Sequence, residues 1–172
     1  MPPTHRPAVH VSFLMGSLLA AGCASGDPVW DMPCSSRPKQ EVQVGTGEVE
    51  FIPPDKGSIP IQNGSQGGQH IWMAMRLHGF GPEASMHFGI YDAVEPEILY
   101  SGPLSQHAML EYNAEAEASE VKGLYGYLNY LLDPETQMPH AGPSGKDVVL
   151  WADVFDECTD GVVHGESNGK VQ

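Results

Sequence analysis

Apolar and polar residues alternate in short runs from residue 41 onward, and glycine and proline clusters break the runs roughly every ten residues. That spacing predicts an antiparallel sandwich rather than βαβ units. Within Gln69–His78 the alternation puts Ile71, Met73, Met75 and Leu77 on one side and His70, Trp72, Ala74, Arg76 and His78 on the other. Gly79, Phe80, Gly81, Pro82 and Glu83 form a turn-rich break, after which Met86, Phe88 and Ile90 alternate with His87, Gly89 and Tyr91. Folded back as a hairpin with Leu77 opposite Met86, the runs pair Met75 with Phe88 and Met73 with Ile90 inside. The same register sets Arg76 beside His87 and Trp72 beside Tyr91 outside, so one pairing satisfies both faces.

Residues 42–51 read as another strand, with Gly45 and Gly47 marking a bulge or a crossing to a second sheet. Residues 58–62 are an edge candidate, because Pro60 removes a ladder donor. Further strands are predicted at 98–100, 104–112, 119–121, 124–132 and 148–155. Helix formers over 114–120 offer a helical alternative for 113–132, but Gly123, Gly126 and the tyrosines at 125, 127 and 130 favour strands. The fold class read from this pattern is all-β: an immunoglobulin-like antiparallel β-sandwich of seven or eight strands over residues 41–165, with 166–172 as a C-terminal tail.

Ahead of the domain the pattern changes. Val11, Phe13, Leu14, Met15, Leu18 and Leu19 form an apolar run that closes on Ala20, Ala21, Gly22 and Cys23. A permanent membrane helix needs about 20 apolar residues, so this run is the right length only for a cleavable leader. It resembles the export signal of bacterial lipoproteins. The position three before the cysteine is usually leucine in that pattern and is Ala20 here, and Arg6 is the leader's one fixed positive charge. Ordinary secretion with cleavage near Ala21 or Gly22 is the alternative. The resemblance implies a signal peptide over 1–22, lipidation of Cys23, and sorting to the outer membrane by Ala24, facing the periplasm or the cell surface. Residues 23–40, rich in Pro, Ser and Gly, then read as a lipidated tether. Each buried methylene of the lipid contributes about 0.8 kcal/mol, so several chains make a firm membrane anchor.

With Cys23 assigned to the lipid, Cys34 and Cys158 remain in an oxidising compartment and are expected to bridge, two separate thiols being the alternative. The chain carries 8 basic and 22 acidic residues, a net charge of −14, and losing Arg6 with the leader leaves 7 against 22, or −15. Such a field repels nucleic acid and anionic headgroups, so no nucleic-acid partner is expected.

The segment Gly45-Thr46-Gly47-Glu48-Val49-Glu50-Phe51, followed by Gly64 to Trp72 and then Arg76, resembles a group of exported proteins and lipoproteins from myxobacteria and their relatives. The likeness runs over residues 44–155 and is most specific at Gln66, Gly67, Gly68, His70 and Trp72. It implies an immunoglobulin-like sandwich and brings no activity with it.

Candidate chemistry divides by face. The soft donors His70, Met73, Met75, His78, Met86, His87, His107 and Met109 raise a copper or zinc site. Alternation sends Met73, Met75 and Met86 to the core and leaves His70, His78 and His87 outward, with His107 and Met109 sharing a face of a later strand; His70 and His87 are taken as the metal candidates, with the Arg76 cation unfavourably between the histidines. Asp153, Asp156, Glu157 and Asp160 raise a calcium site, but Cys158 and Ser167 break the EF-hand loop pattern. No nucleophile elbow or HExxH is present, and the alternating Glu115, Glu117 and Glu120 read as a solvated face. The protein is therefore read as non-enzymatic and without a cofactor. Trp72, Tyr91 and Arg76 are the residue types that anchor interfaces, and they form the expected binding patch. The functional expectation is a cell-envelope lipoprotein that binds or scaffolds a protein or glycan partner, with periplasmic metal binding as the alternative.

Overall fold

The computed structural model describes residues 29–54, 58–65, 68–129 and 141–172. Nine strands run through these residues: β1 (Glu41–Thr46), β2 (Gln62–Asn63), β3 (Gln69–His78), β4 (Glu83–Asp92), β5 (Leu99–Met109), β6 (Glu111–Asn113), β7 (Ala118–Tyr127), β8 (Asp147–Phe155) and β9 (Val163–Lys170). One sheet is ordered β1-β3-β7-β6, with β2 also paired to β3, and the other is ordered β5-β4-β8-β9. Every strand ladder is antiparallel, and the two sheets make the sandwich that the residue pattern predicts.

The inward faces are the ones alternation assigns. Ile71, Met73, Met75 and Leu77 of β3 are fully buried against Met86, Phe88 and Ile90 of β4, with Val148, Leu150, Ala152 and Val154 of β8 completing the layer. Each large side chain so buried contributes about 1.5–3 kcal/mol. Met73, Met75 and Met86 are core, as expected.

The hairpin between β3 and β4 does not form. Those strands belong to different sheets, so Leu77 and Met86 share the core between the sheets rather than a ladder. The cause lies in the break itself. Phe80 is fully buried and plugs the space between the sheets, which turns the connection into an arch. Gly79 takes a positive φ of 73° and lies so close to Pro38 that a Cβ would sit 2.4 Å from its carbonyl oxygen. On the far side of Phe80, the Gly81 amide donates to Asp156 Oδ2 at 2.6 Å.

Several boundaries also differ from expectation. The chain is docked on the domain from Val29 on, where a tether was read: Trp30 Nε1 donates to Ser119 Oγ at 2.8 Å, and Cys34 is bonded to Cys158. The tail read at 166–172 is mostly strand, because β9 pairs with β8 from Val163 to Lys170, and Val171 is buried. Residues 114–117 form a turn capped by Asn113 Oδ1, which accepts from the Glu115 and Ala116 amides, so the helical alternative gives way to β7. The leader, Cys23, residues 24–28, Gln66, Gly67 and Tyr130 lie outside the described residues.

Candidate functional site

The outer face of β3 carries His70, Trp72 and Arg76, as alternation predicts, but their neighbours come from β7. In that ladder His70 faces Tyr127, Trp72 faces Tyr125, and Arg76 faces Glu120, with a register shift between Met73 and Met75. The result is two clusters on one face.

At one end Arg76 Nε and Nη2 reach Glu120 Oε1 at 2.9 and 2.8 Å, and the guanidinium lies 4.4 Å from the centroid of Phe51. Phe51 gets there because the chain folds back after β1, where Thr46 and Ile52 exchange backbone hydrogen bonds. This corner is a closed cation–π and ion-pair unit.

At the other end four rings gather. His70 stacks on Tyr125 with centroids 4.0 Å apart and planes 20° apart, and Trp72 stands edge-on to both, at 4.7 Å from His70 and 5.0 Å from Tyr125. Tyr127 lies within 17° of parallel to Tyr125, with centroids 6.4 Å apart. Both tyrosines are 41% exposed, whereas His70 is only 4% exposed. Tyr125 therefore covers the imidazole while remaining partly open to solvent itself. Neither ring nitrogen of His70 has a hydrogen-bond partner among the described residues. Burial holds its pKa below the usual histidine value, against a weaker upward pull from the Glu48 carboxylate.

Glu48 is placed by backbone bonds on either side of Gly47. The Gly47 amide donates to the Trp72 carbonyl at 3.0 Å, and the Gly47 carbonyl accepts from the Gly123 amide at 3.1 Å. A side chain at residue 47 is excluded, since φ is 133° and a Cβ would sit 1.8 Å from the Glu50 carbonyl oxygen. Between this loop and the indole opens a cleft of about 310 Å³, lined by Thr46, Glu48, Ile52, Pro60, Gln62 and Trp72.

The structure separates the other expected site residues. Tyr91 lies on the outer face of the second sheet, where its hydroxyl donates to Glu166 Oε1 at 2.8 Å, so the Trp72–Tyr91 pair does not exist. His87 is exposed on that same second sheet, edge-on to Phe155, while His70 is buried on the first. They cannot share a metal ion. The calcium reading fails for a different reason. Asp156 Oδ1 accepts from Gln40 Nε2, the Cys158 amide and Thr159 Oγ1, while Oδ2 accepts from the Gly81 amide and Arg37 Nη1. Its oxygens are already committed, and Asp153 is paired with His164 Nδ1 at 2.7 Å. Among the described residues no group of three or more His, Cys, Asp or Glu side chains is arranged to hold a metal ion.

The Cys34–Cys158 bridge is present, with Cα atoms 5.2 Å apart across 124 residues of sequence. Tyr125 and Tyr127 are the members of the aromatic face that residue patterning did not connect to Trp72. The Tyr125-Gly126-Tyr127 alternation was the available signal, since it puts both rings on one face of β7.

Neither a protein family nor a curated protein matches the chain. Among solved structures it is similar to Cep-1, the C. elegans orthologue of human p53, at 12% identity and a TM-score of 0.30, over 78% of this chain and 91% of that one. A likeness that loose carries no functional argument.

Proposed function

We propose that this protein is a non-enzymatic binding module of the bacterial cell envelope, anchored in the outer membrane by a lipid on Cys23, that engages a protein or glycan partner through the aromatic face of its first sheet. The observation that carries the reading is the half-open ring cluster of Trp72, Tyr125 and Tyr127 above a buried His70. Tyrosine and tryptophan offer rigid contact area at low entropic cost, and such residues dominate binding energy at interfaces. The cations Arg76 and Lys122 are committed to internal pairs, with Glu120 and Glu111, which supports a scaffold rather than a reactive centre.

A photocrosslinking amino acid in place of Tyr127, in chain expressed in its own envelope, tests this. It is expected to trap a discrete partner, whereas the same group at Glu97, an exposed position outside this face, traps none. Equal labelling at both positions would overturn the binding reading. Intact mass of the same material reports the anchor, with a processed, triply or doubly acylated chain beginning at Cys23 expected.

A further inference from the structure

The cleft beside Trp72 has a chemistry more specific than an aromatic patch. Among the described residues that line it, Glu48 is the sole ionisable group, and none of them is a cation. The face of an indole is negative, and a carboxylate beside it adds a full charge, so the walls favour a positive occupant and disfavour an anionic one. The whole chain points the same way, because a net charge of −14 draws cations towards the surface and repels acids.

The molecule also contains a working copy of the arrangement. Four residues along β3, on the same face, Arg76 lies 4.4 Å over the Phe51 ring and bonds Glu120 at 2.8 Å. There an aromatic ring, a carboxylate and a guanidinium are all supplied by the chain. Beside Trp72 the ring and the carboxylate are present, and among the described lining residues there is no cation.

We infer that the cleft between Glu48 and Trp72 receives the ammonium or guanidinium head of a lysine or arginine presented by a protein partner. Its size, about 310 Å³, suits one long side chain rather than a folded element. The exposed rings of Tyr125 and Tyr127 extend the contact beyond the cleft and supply a flat apolar floor for the peptide flanking the basic residue. A neutral saccharide stacks on the same rings and can donate hydroxyls to the carboxylate but leaves its charge unpaired, which is why the basic protein segment is favoured. This deepens the binding reading above and rests on it.

The test is calorimetric titration of the full-length chain in detergent with a penta-lysine peptide at low salt, alongside cellohexaose as a neutral glycan probe. Peptide binding is expected, weakened about tenfold in Glu48→Gln and in Trp72→Leu, and left within about twofold of the parent in Glu97→Gln, which removes the same charge elsewhere. Thermal melting of each variant checks that it is folded. Three results would overturn the inference: no peptide binding, equal weakening by Glu48→Gln and Glu97→Gln, or preferential binding of cellohexaose. Crosslinking from residue 127 that persists alongside any of these would sink the cation site and leave the binding face standing, whereas loss of both would remove both.

Discussion

Asp156 and His70 are both titratable side chains taken out of water, one at the closed end of the sandwich and one on its open face, and the protein treats them in opposite ways. Around Asp156 every oxygen is used. Arg37, Gln40, Gly81, Cys158 and Thr159 converge on it from three parts of the chain, and the Cys34–Cys158 bond lies alongside. Burial alone would raise its carboxyl pKa, but the hydrogen bonds from Gly81, Thr159, Cys158 and Gln40 outweigh that and hold it below the usual carboxylate range. His70 is buried beneath Tyr125 and edge-on to Trp72, and among the described residues its nitrogens have no hydrogen-bond partner. A fully satisfied buried group stabilises a fold, whereas an unsatisfied one costs about 1–3 kcal/mol and persists where something other than stability maintains it. The contrast separates the structural end of this molecule from the face proposed to bind a partner.

Breaking the structural end has the largest expected effect. Replacing Cys34 and Cys158 with serine releases a loop that closes 124 residues, for which the chain-entropy account gives about 5 kcal/mol. That is a large share of the 5–15 kcal/mol typical of a domain, so urea denaturation should show a collapse of the midpoint. A loss below about 1 kcal/mol would mean that the Asp156 hub holds the N-terminal segment without the bond. Next in size is Arg37→Met. Its guanidinium and the Asp156 carboxylate are almost wholly buried, at 5% and 0% exposure, and removing the cation strands a buried charge. About 3 kcal/mol is expected at neutral pH, and parent-like stability would show that the hydrogen bonds alone neutralise the aspartate.

Residue patterning showed the burial of β3, β4 and β8 because a period of two decides which side chains face inward whatever strand lies alongside. It did not show pairing. Trp72 and Tyr91 do both point outward, but from different sheets, and the signal that separates an arch from a hairpin was the apolar Phe80 in the middle of the break. The disulfide was legible from cysteine count. The last strand was not, since Gly165, Glu166, Ser167, Asn168 and Gly169 carry no alternation. Those small residues are there because β9 packs closely on β1: a Cβ at Gly165 would lie 2.4 Å from the Val42 carbonyl oxygen. The aromatic face was half legible. Trp72 was singled out, but its true partner Tyr125 depended on a β3–β7 ladder that separates the two by more than fifty residues of chain.

The smallest expected effect sharpens the comparison most, because its sign is opposite. His70→Phe keeps a flat ring under Tyr125 and removes two unpartnered nitrogens, so at neutral pH it should stabilise the protein by about 1 kcal/mol, where Arg37→Met destabilises it. The pH dependence adds a second readout. The folded pKa of His70 lies below its unfolded value near 6.5, so its neutral form is favoured by folding. That contribution is complete above 6.5 and is lost as pH falls through the folded value, because protonation then favours the unfolded chain. The gap between His70→Phe and the parent should therefore widen as pH drops from 7 towards 5. His164 runs the other way. Its bond to Asp153 raises its pKa, so its contribution is present below 6.5 and fades at higher pH, but it is common to both proteins and cancels. Asp92, held at about 2 chiefly by the Tyr100 hydroxyl, adds a loss only below pH 4, again in both. A difference between variant and parent that is flat from pH 7 to pH 5 would mean that His70 meets solvent protons freely, and that the ring stack on β3 and β7 is open rather than closed.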